Sequence, residues 1–129
     1  MEKSKAEEYF LEYPKVDEEI IKLKAEISSL ENEKSECESR MDEFSIGLLL
    51  TINAALESAK IDLKKAFETK SFVTRALSIM DLRQKKIVEL RFWSGHTTPV
   101  GWEDVAGKMK YHKKSVEKIY RGMLKRIPV

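Results

Sequence analysis

The chain has 129 residues, 42% of them hydrophobic and 36% charged, which is enough for one domain or for one small domain with a long arm. So many charges with so few glycines and prolines favour long helices, and the lack of an alternating strand pattern argues against a sheet protein. The single cysteine, Cys37, excludes an intrachain disulfide and a cysteine-based metal site and suits a reducing cytoplasm. Polar residues interrupt the longest apolar stretch, so we expect no membrane contact and a cytoplasmic location.

The net charge of +2 hides a division between the two halves of the chain. Residues 1–70 carry 11 Lys/Arg against 17 Asp/Glu, a net charge of −6, whereas residues 71–129 carry 13 against 5, a net charge of +8. An acidic segment can pair with itself or with another protein, whereas a basic segment attracts polyanions and releases them as salt rises. We therefore divide the chain into a helical assembly arm, 1–70, and a basic domain, 71–129.

The arm begins with a short amphipathic lead-in whose aromatic residues Tyr9, Phe10 and Tyr13 suit docking, and Pro14 fits the first turn of a long helix. Apolar residues then recur in steps of mainly three and four at Val16, Ile20, Leu23, Ile27, Leu30, Cys37, Met41, Phe44 and Leu48. This heptad spacing is typical of a coiled coil. Two interpretations stay open: a homodimer through this helix, and a hairpin in which the helix folds back on the next one.

A second apolar series begins out of register with the first, at Leu49, Ile52, Leu56, Ala59, Leu63 and Ala66. The phase changes at residues 45–47, where Gly47 costs about 1 kcal/mol relative to alanine in a helix interior. A bend or tight hairpin there is one interpretation, and a continuous helix with a rotated apolar stripe is the other. Further along, Ser71 and Asp81 are candidate N-caps. The helix after Asp81 is expected to bury Leu82, Ile87, Leu90 and Phe92.

The last 25 residues have the spacing of a helix-turn-helix. Two short helices that cross at a tight turn need apolar residues where this sequence has Val105, Ala106, Met109, Val116 and Ile119. The apolar series continues to Ile127 along one face of the second helix, and its other face carries a basic stripe, defined here as Lys114, Lys118, Arg121 and Lys125. We therefore expect an all-α fold, with a long N-terminal helical arm, coiled coil or hairpin, followed by a C-terminal helix-turn-helix bundle.

A helix that is buried on one side and cationic on the other has the form needed to lie in a groove of double-stranded DNA, although a basic stripe is also a common solvated surface. In helix-turn-helix proteins the first turn of the second helix contacts bases and the flanking residues hold phosphates. The candidates for bases are His112, Lys113, Lys114, Glu117 and Lys118. The candidates for phosphates are Arg121, Lys125, Lys108, Lys110 and Arg91.

Several of these residues also have a purely structural interpretation. Glu117 is expected to form an i,i+4 ion pair with Arg121 rather than to accept a hydrogen bond from cytosine. His112 fits a turn or cap position better than a base contact. The large aromatic side chains near the motif are expected to pack in the core or at its rim, and these are Trp93, Trp102, Tyr111 and Tyr120. No catalytic set, metal site or cofactor motif emerges, so we do not expect an enzyme.

Three spaced segments, ELRFWSG (89–95), WEDVAGKM (102–109) and KYHKKSVEKIYRGMLKRI (110–127), together resemble region four of housekeeping-type bacterial sigma factors. The match covers roughly residues 77–127 and implies a helix-turn-helix that reads a promoter element. The chain is more similar still to small phage and prophage regulators of the RinA and ArpU type, because AEEYFLEYPKVDEEIIKLKAEI (6–27) also resembles their arm. This resemblance implies a sequence-specific transcription regulator that activates phage late genes, with RNA polymerase as a candidate partner.

Two features depart from the sigma pattern. Nothing resembles sigma region two, so the chain is not expected to direct initiation alone. Lys110 stands where the turn usually has a glycine with positive φ, which is unfavourable for a residue with a Cβ. Either Lys110 adopts the left-handed backbone at a cost of about 1 kcal/mol, or the turn and the angle of the second helix are remodelled.

Two other functions fit the same pattern. Small terminase subunits of phage packaging machines also join a helix-turn-helix to an oligomerising helical region, and they form rings of many subunits. A protein-binding adaptor would use the basic domain to grip RNA polymerase and would bind DNA weakly.

Overall fold

The structure, a computed structural model, describes residues 5–40, 42–94 and 98–127, and every regular element within these residues is a helix. The helices are α1 (Lys5–Glu12), α2 (Val16–Arg40), α3 (Glu43–Ser78), α4 (Leu82–Phe92), α5 (Trp102–Met109) and α6 (Lys113–Arg126), and Tyr13–Lys15 form a 3-10 turn between α1 and α2. The predicted all-α fold with a long helical arm is therefore confirmed. Met41, which was assigned to the heptad seam, lies outside the described residues.

The chain divides into two compact units, residues 15–68 and residues 1–14 with 69–129. We call the first the hairpin unit and the second the head unit. This division differs from the predicted boundary at residue 70, because α1 belongs to the head unit. The physical reason is that Ala6 and Phe10 are buried in the same core as α4, α5 and α6.

In the hairpin unit, α2 and α3 pack against each other in antiparallel directions. Cys37 of α2 is buried with Ile52 and Leu56 of α3, whereas the Nζ atom of Lys24, near the start of α2, lies 5.4 Å from the ring centroid of Phe67, late in α3. Of the two interpretations of the heptad seam, the structure shows the hairpin.

The hairpin turns earlier than predicted. α2 ends at Arg40 and α3 begins at Glu43, because Asp42 caps the new helix by accepting a hydrogen bond of 2.7 Å from the backbone N–H of Ser45. That hydrogen bond lowers the pKa of Asp42. Of the two interpretations of residues 45–47, the bend or hairpin is not observed there, since Gly47 lies inside α3. Phe44 was assigned to the first apolar series, but it is exposed, because at the start of α3 the side chain of Ser45 faces the core.

In the head unit, α1, the end of α3, α4, α5 and α6 share one hydrophobic core. Seven of its side chains are at most 1% exposed: Phe10, Val73, Ala76, Ile87, Val88, Val105 and Val116. Ser71 was predicted to cap the start of a new helix. Instead, α3 continues through Ser71, with Phe72, Val73 and Ala76 on its buried face. α3 is also long and apolar enough to cross a membrane by length and composition alone, and 22% of its most apolar stretch is buried.

The predicted cap of α4 is present as a full capping box. The Asp81 carboxylate accepts from the backbone N–H of Gln84 at 2.9 Å, and the Gln84 side chain accepts from the backbone N–H of Asp81 at 3.0 Å. Leu82 was predicted to be buried, but it is 84% exposed. The first position of α4 points away from the core, which α4 reaches through Ile87, Val88 and Phe92.

Candidate nucleic-acid interface

The helix-turn-helix consists of α5, the turn at residues 110–112 and α6. Val105 and Ala106 of α5 are buried with Val116 of α6, and Met109 and Ile119 are partly buried beside them. At the other end of the pair, the rings of Trp102 and Tyr120 lie 4.8 Å apart. The predicted apolar contacts of the motif are confirmed.

Lys110 ends α5 in the left-handed conformation, with φ 60° and ψ 38°. The backbone N–H of Tyr111 donates to the carbonyl of Ala106 at 3.0 Å, and that of Lys110 donates to the carbonyl of Gly107 at 3.3 Å. These two bonds are the Schellman pattern that usually ends a helix at a glycine. Of the two alternatives for this turn, the structure shows the first: lysine takes the backbone of glycine, and the turn keeps its shape.

α6 has two different faces. Val116, Tyr120 and Met123 are buried, as is Ile127 at the end of the helix. The basic stripe is exposed along its whole length. At 100° per residue, Lys114, Lys118 and Lys125 lie about half a turn from the buried residues. The side chains of the core therefore hold the stripe toward solvent.

The residues predicted to contact bases differ in their surroundings. His112 is exposed at the N-cap position of α6, and its side chain makes no capping hydrogen bond. The Lys113 Nζ lies 3.9 Å from a carboxylate oxygen of Glu103 in α5. Lys114 and Lys118 are exposed, and neither has a carboxylate within ion-pair distance among the described residues. Of the candidates for bases, Lys114 and Lys118 are therefore the lysines most available to bind a polyanion.

Glu117 forms the predicted pair with Arg121, whose Nη2 atom lies 3.9 Å from a Glu117 carboxylate oxygen. The Glu117 side chain is only 22% exposed, whereas that of Arg121 is 76% exposed. The carboxylate therefore orients Arg121 along the stripe and is poorly placed to accept a hydrogen bond from a base. Of the other phosphate candidates, Lys108, Lys110 and Lys125 are exposed.

Arg91 does not have the surroundings expected of a phosphate contact. Its guanidinium carbon lies 3.9 Å from the ring centroid of Trp102, and its Nη1 donates to the carbonyl of Val100 at 2.7 Å. The backbone is tied at the same place, since the N–H of Val100 donates to the carbonyl of Arg91 at 2.8 Å. Arg91 thus joins the end of α4 to the start of α5, and we correct its assignment to a structural residue.

The contacts of α1 with the helices that support the candidate site were not predicted, because sequence patterns named no partner for the N-terminal aromatic residues. The Trp93 indole N–H donates to the carbonyl of Phe10 at 2.7 Å, and the Phe10 and Phe92 rings stack at 5.4 Å. Tyr120 of α6 is also close to α1: burial raises the pKa of its phenol, and the negative charge of Glu7 raises it further. Tyr9, Phe10 and Tyr13, which were suggested as docking residues, therefore pack against other helices of the head unit.

No protein-family model matches this chain, and no curated protein or solved structure is significantly similar to it. The resemblance to sigma region four and to RinA/ArpU regulators stays a prediction that rests on the three sequence segments and the arm.

Proposed function

We propose that the protein is a sequence-specific regulator of transcription that binds double-stranded DNA with α6 as the recognition helix. The observation that carries this proposal is the position of the basic stripe. It is exposed and half a turn away from the buried face of the same helix, and no carboxylate among the described residues lies within ion-pair distance of Lys114 or Lys118. A recognition helix needs this arrangement, because it must be fixed to its domain on one side and face the major groove on the other.

The charge distribution supports a polyanionic partner. Residues 71–129 carry a net charge of +8, and residues 1–70 a net charge of −6. In the helix-turn-helix, a DNA backbone would meet Lys108 and Lys110 on one side of α6 and Arg121 and Lys125 along it. Such contacts position the protein, whereas contacts with base edges give sequence preference.

Lys114 and Lys118 are the residues that we assign to bases. They lie in the first two turns of α6, where helix-turn-helix proteins read the groove, and a lysine donates to the O6 and N7 acceptors of guanine. We assign no base contact to Glu117, since Arg121 engages its carboxylate.

The biological role that we propose is activation of phage late genes, with RNA polymerase as the second partner. It is supported by the sequence resemblance to RinA/ArpU regulators alone. In this role the head unit would bind the promoter, and the hairpin unit would serve assembly.

The experiment is a charge reversal of Lys114→Glu with Lys118→Glu, compared with Lys15→Glu with Lys22→Glu, two exposed lysines outside the head unit's helix-turn-helix. Duplex fragments selected by the wild type from genomic DNA serve as probes in fluorescence anisotropy. We expect the first variant to bind at least roughly 100-fold more weakly, because each lost base contact is worth about 1–3 kcal/mol. The control variant should bind within a few-fold of the wild type.

Both variants must keep the circular dichroism of the wild type, since all four lysines are exposed. Undiminished DNA binding by the Lys114/Lys118 variant would remove α6 as the recognition helix. Equal losses of DNA affinity in the two variants would mean that binding depends only on the overall charge of the protein.

A further inference from the structure

α3 carries a second row of small and apolar residues, on the side away from the hairpin core. The row follows the heptad steps of three and four, and all its members are exposed: Phe44, Gly47, Thr51, Ala54, Ser58 and Ile61. We call it the outer seam. Phe44 is 76% exposed and Ile61 49%, while Leu50, beside the seam, is 73% exposed. The buried residues Ile52, Leu56 and Ala59 lie on the other side of the same helix.

The outer seam is unusual for a surface in contact with water. The chain has no charged residue between Phe44 and Leu56, and Ile46 and Leu48 are also more than one-third exposed. Single exposed hydrophobic residues are common, but a continuous patch of a few hundred Å² on a protein surface usually marks a binding site.

The order of side-chain sizes along the outer seam is the same in both directions. Large residues stand at its ends, Phe44 and Ile61, and small ones lie between them. We propose that the outer seam binds the outer seam of a second copy of this chain, in antiparallel direction, about a two-fold axis between Thr51 and Ala54. Phe44 then faces Ile61 of the second copy, and Gly47 faces Ser58.

The sizes suit two helices that cross. Crossing helices approach most closely at the centre and diverge toward their ends, so small residues belong at the centre and large ones at the ends. Gly47 is surrounded by open space, since a Cβ built there would meet nothing within 4 Å. A two-fold axis also requires one surface to match itself, which a row with this symmetry of sizes does.

Helix dipoles favour the antiparallel direction over the parallel one. Asp42 and Glu43 stand before the outer seam, and Asp62 follows it. In the antiparallel register Glu43 stands opposite Asp62, so the direction is favoured by the opposed helix dipoles and not by acid–base pairing. Parallel helices would set Asp42 and Glu43 against the same residues of the other copy.

A membrane surface is the other apolar partner to consider, and charge argues against it. Residues 15–68 carry 8 Lys/Arg against 13 Asp/Glu, a net charge of −5. Helices that lie on membranes are usually rich in lysine and arginine on their polar face, because cellular lipid surfaces are negative. The hairpin unit has the opposite sign, so a second copy of the chain fits the outer seam better.

The first test is the mass of the full chain in solution by light scattering after gel filtration. We expect the wild type to be a dimer, with twice the chain mass of 15.0 kDa, and Ala54→Glu to be a monomer, because two carboxylates would meet beside the axis. The matched control is Ala25→Glu, the same change at an exposed position of α2, which should stay dimeric. Ser58→Glu repeats the test at a second position of the seam should Ala54→Glu lose helicity.

The second test fixes the direction by disulfide formation in a Cys37→Ala background, which removes the single native thiol. Gly47→Cys mixed with Ser58→Cys should give a crosslinked dimer on oxidation, because these small residues allow a close approach, whereas Gly47→Cys alone should not. In the antiparallel pair, two copies of position 47 lie about 17 Å apart at 1.5 Å per residue, too far for a disulfide. Efficient crosslinking of Gly47→Cys with itself would contradict the antiparallel arrangement.

Three results would overturn the proposal: a monomeric wild type, a dimeric Ala54→Glu variant that keeps its helicity, or a monomer that binds anionic or neutral phospholipid vesicles through residue 54. A ring of many subunits would also contradict a closed two-fold pair. The proposal does not depend on DNA binding. The Lys114→Glu/Lys118→Glu variant should remain dimeric, so loss of the DNA proposal and loss of this one are separate observations.

Discussion

At the scale of single residues, Lys110 sets the angle between the two helices of the candidate DNA-binding motif. Its left-handed backbone is stabilised by the hydrogen bonds that Lys110 and Tyr111 donate to the end of α5. The local cost of a Cβ in this conformation is therefore offset by a completed helix end and by the packing of α6. Having lysine instead of glycine at this position also places a basic side chain beside the candidate recognition helix.

We predict that Lys110→Gly raises the free energy of unfolding by up to about 1 kcal/mol. Relief of the left-handed conformation contributes roughly 1–2 kcal/mol, and the greater entropy of glycine in the unfolded chain removes roughly 0.5–1 kcal/mol. Urea denaturation followed by circular dichroism measures the change. Lys110→Ala is the control, since it removes the charge but keeps the strain; a glycine variant no more stable than the alanine variant would contradict the account.

Arg91 provides a second prediction at this scale, because its guanidinium stacks on Trp102 and donates to Val100. Arg91→Lys keeps the positive charge but loses the planar stacking group. We expect the free energy of unfolding to fall by about 1–2 kcal/mol. A phosphate contact would behave differently: lysine would then leave stability unchanged and alter only DNA affinity, which anisotropy on the same variant would reveal.

At the scale of elements, α1 is the part of the chain whose role changes most between sequence and structure. It is eight residues long, too short to be a stable helix alone. Its stability comes from Phe10, which is fully buried, and from the hydrogen bond between Phe10 and the indole of Trp93. The resulting cluster supports the end of α4, from which Arg91 and Trp93 project.

We predict that Phe10→Ala lowers the free energy of unfolding of the head unit by about 3–5 kcal/mol, the usual cost of deleting a buried aromatic ring. Urea denaturation monitored by tryptophan fluorescence would measure it, since Trp93 contacts the same cluster. Leu82→Ala is the comparison: Leu82 is 84% exposed, so the change should stay within about 0.5 kcal/mol. Similar losses in both variants would contradict the packing of α1.

At the scale of the whole molecule, the separation of charge should govern how DNA binding responds to salt. If Lys108, Lys110, Arg121 and Lys125 each neutralise one phosphate, a plot of log affinity against log salt should have a slope of about −3 to −4. Lys125→Ala should reduce the magnitude of that slope by about 1. Anisotropy titrations across a salt series test both values, and a salt-independent affinity would contradict phosphate contacts by this surface.

The features that depend on local chemistry and helical periodicity could be predicted from the amino-acid sequence. These include the all-helical fold, the Asp81 cap, the apolar contacts of the helix-turn-helix, the Glu117–Arg121 pair and the outward basic stripe of α6. A residue's place on a helix follows from its spacing alone, because 3.6 residues complete each turn. For the same reason the sequence placed Lys114 and Lys118 on the exposed side before any tertiary contact was known.

Which helix faces pack against each other is known only from the folded structure. Heptad spacing marks an apolar seam but not its partner, so the hairpin of α2 and α3, the docking of α1 and the exposure of Phe44 could not be obtained from spacing. Arg91 was assigned to phosphates for a related reason: spacing does not reveal that its guanidinium stacks on the ring of Trp102, eleven residues away. Periodicity is a property of one helix, whereas packing is a property of the surfaces that two helices share.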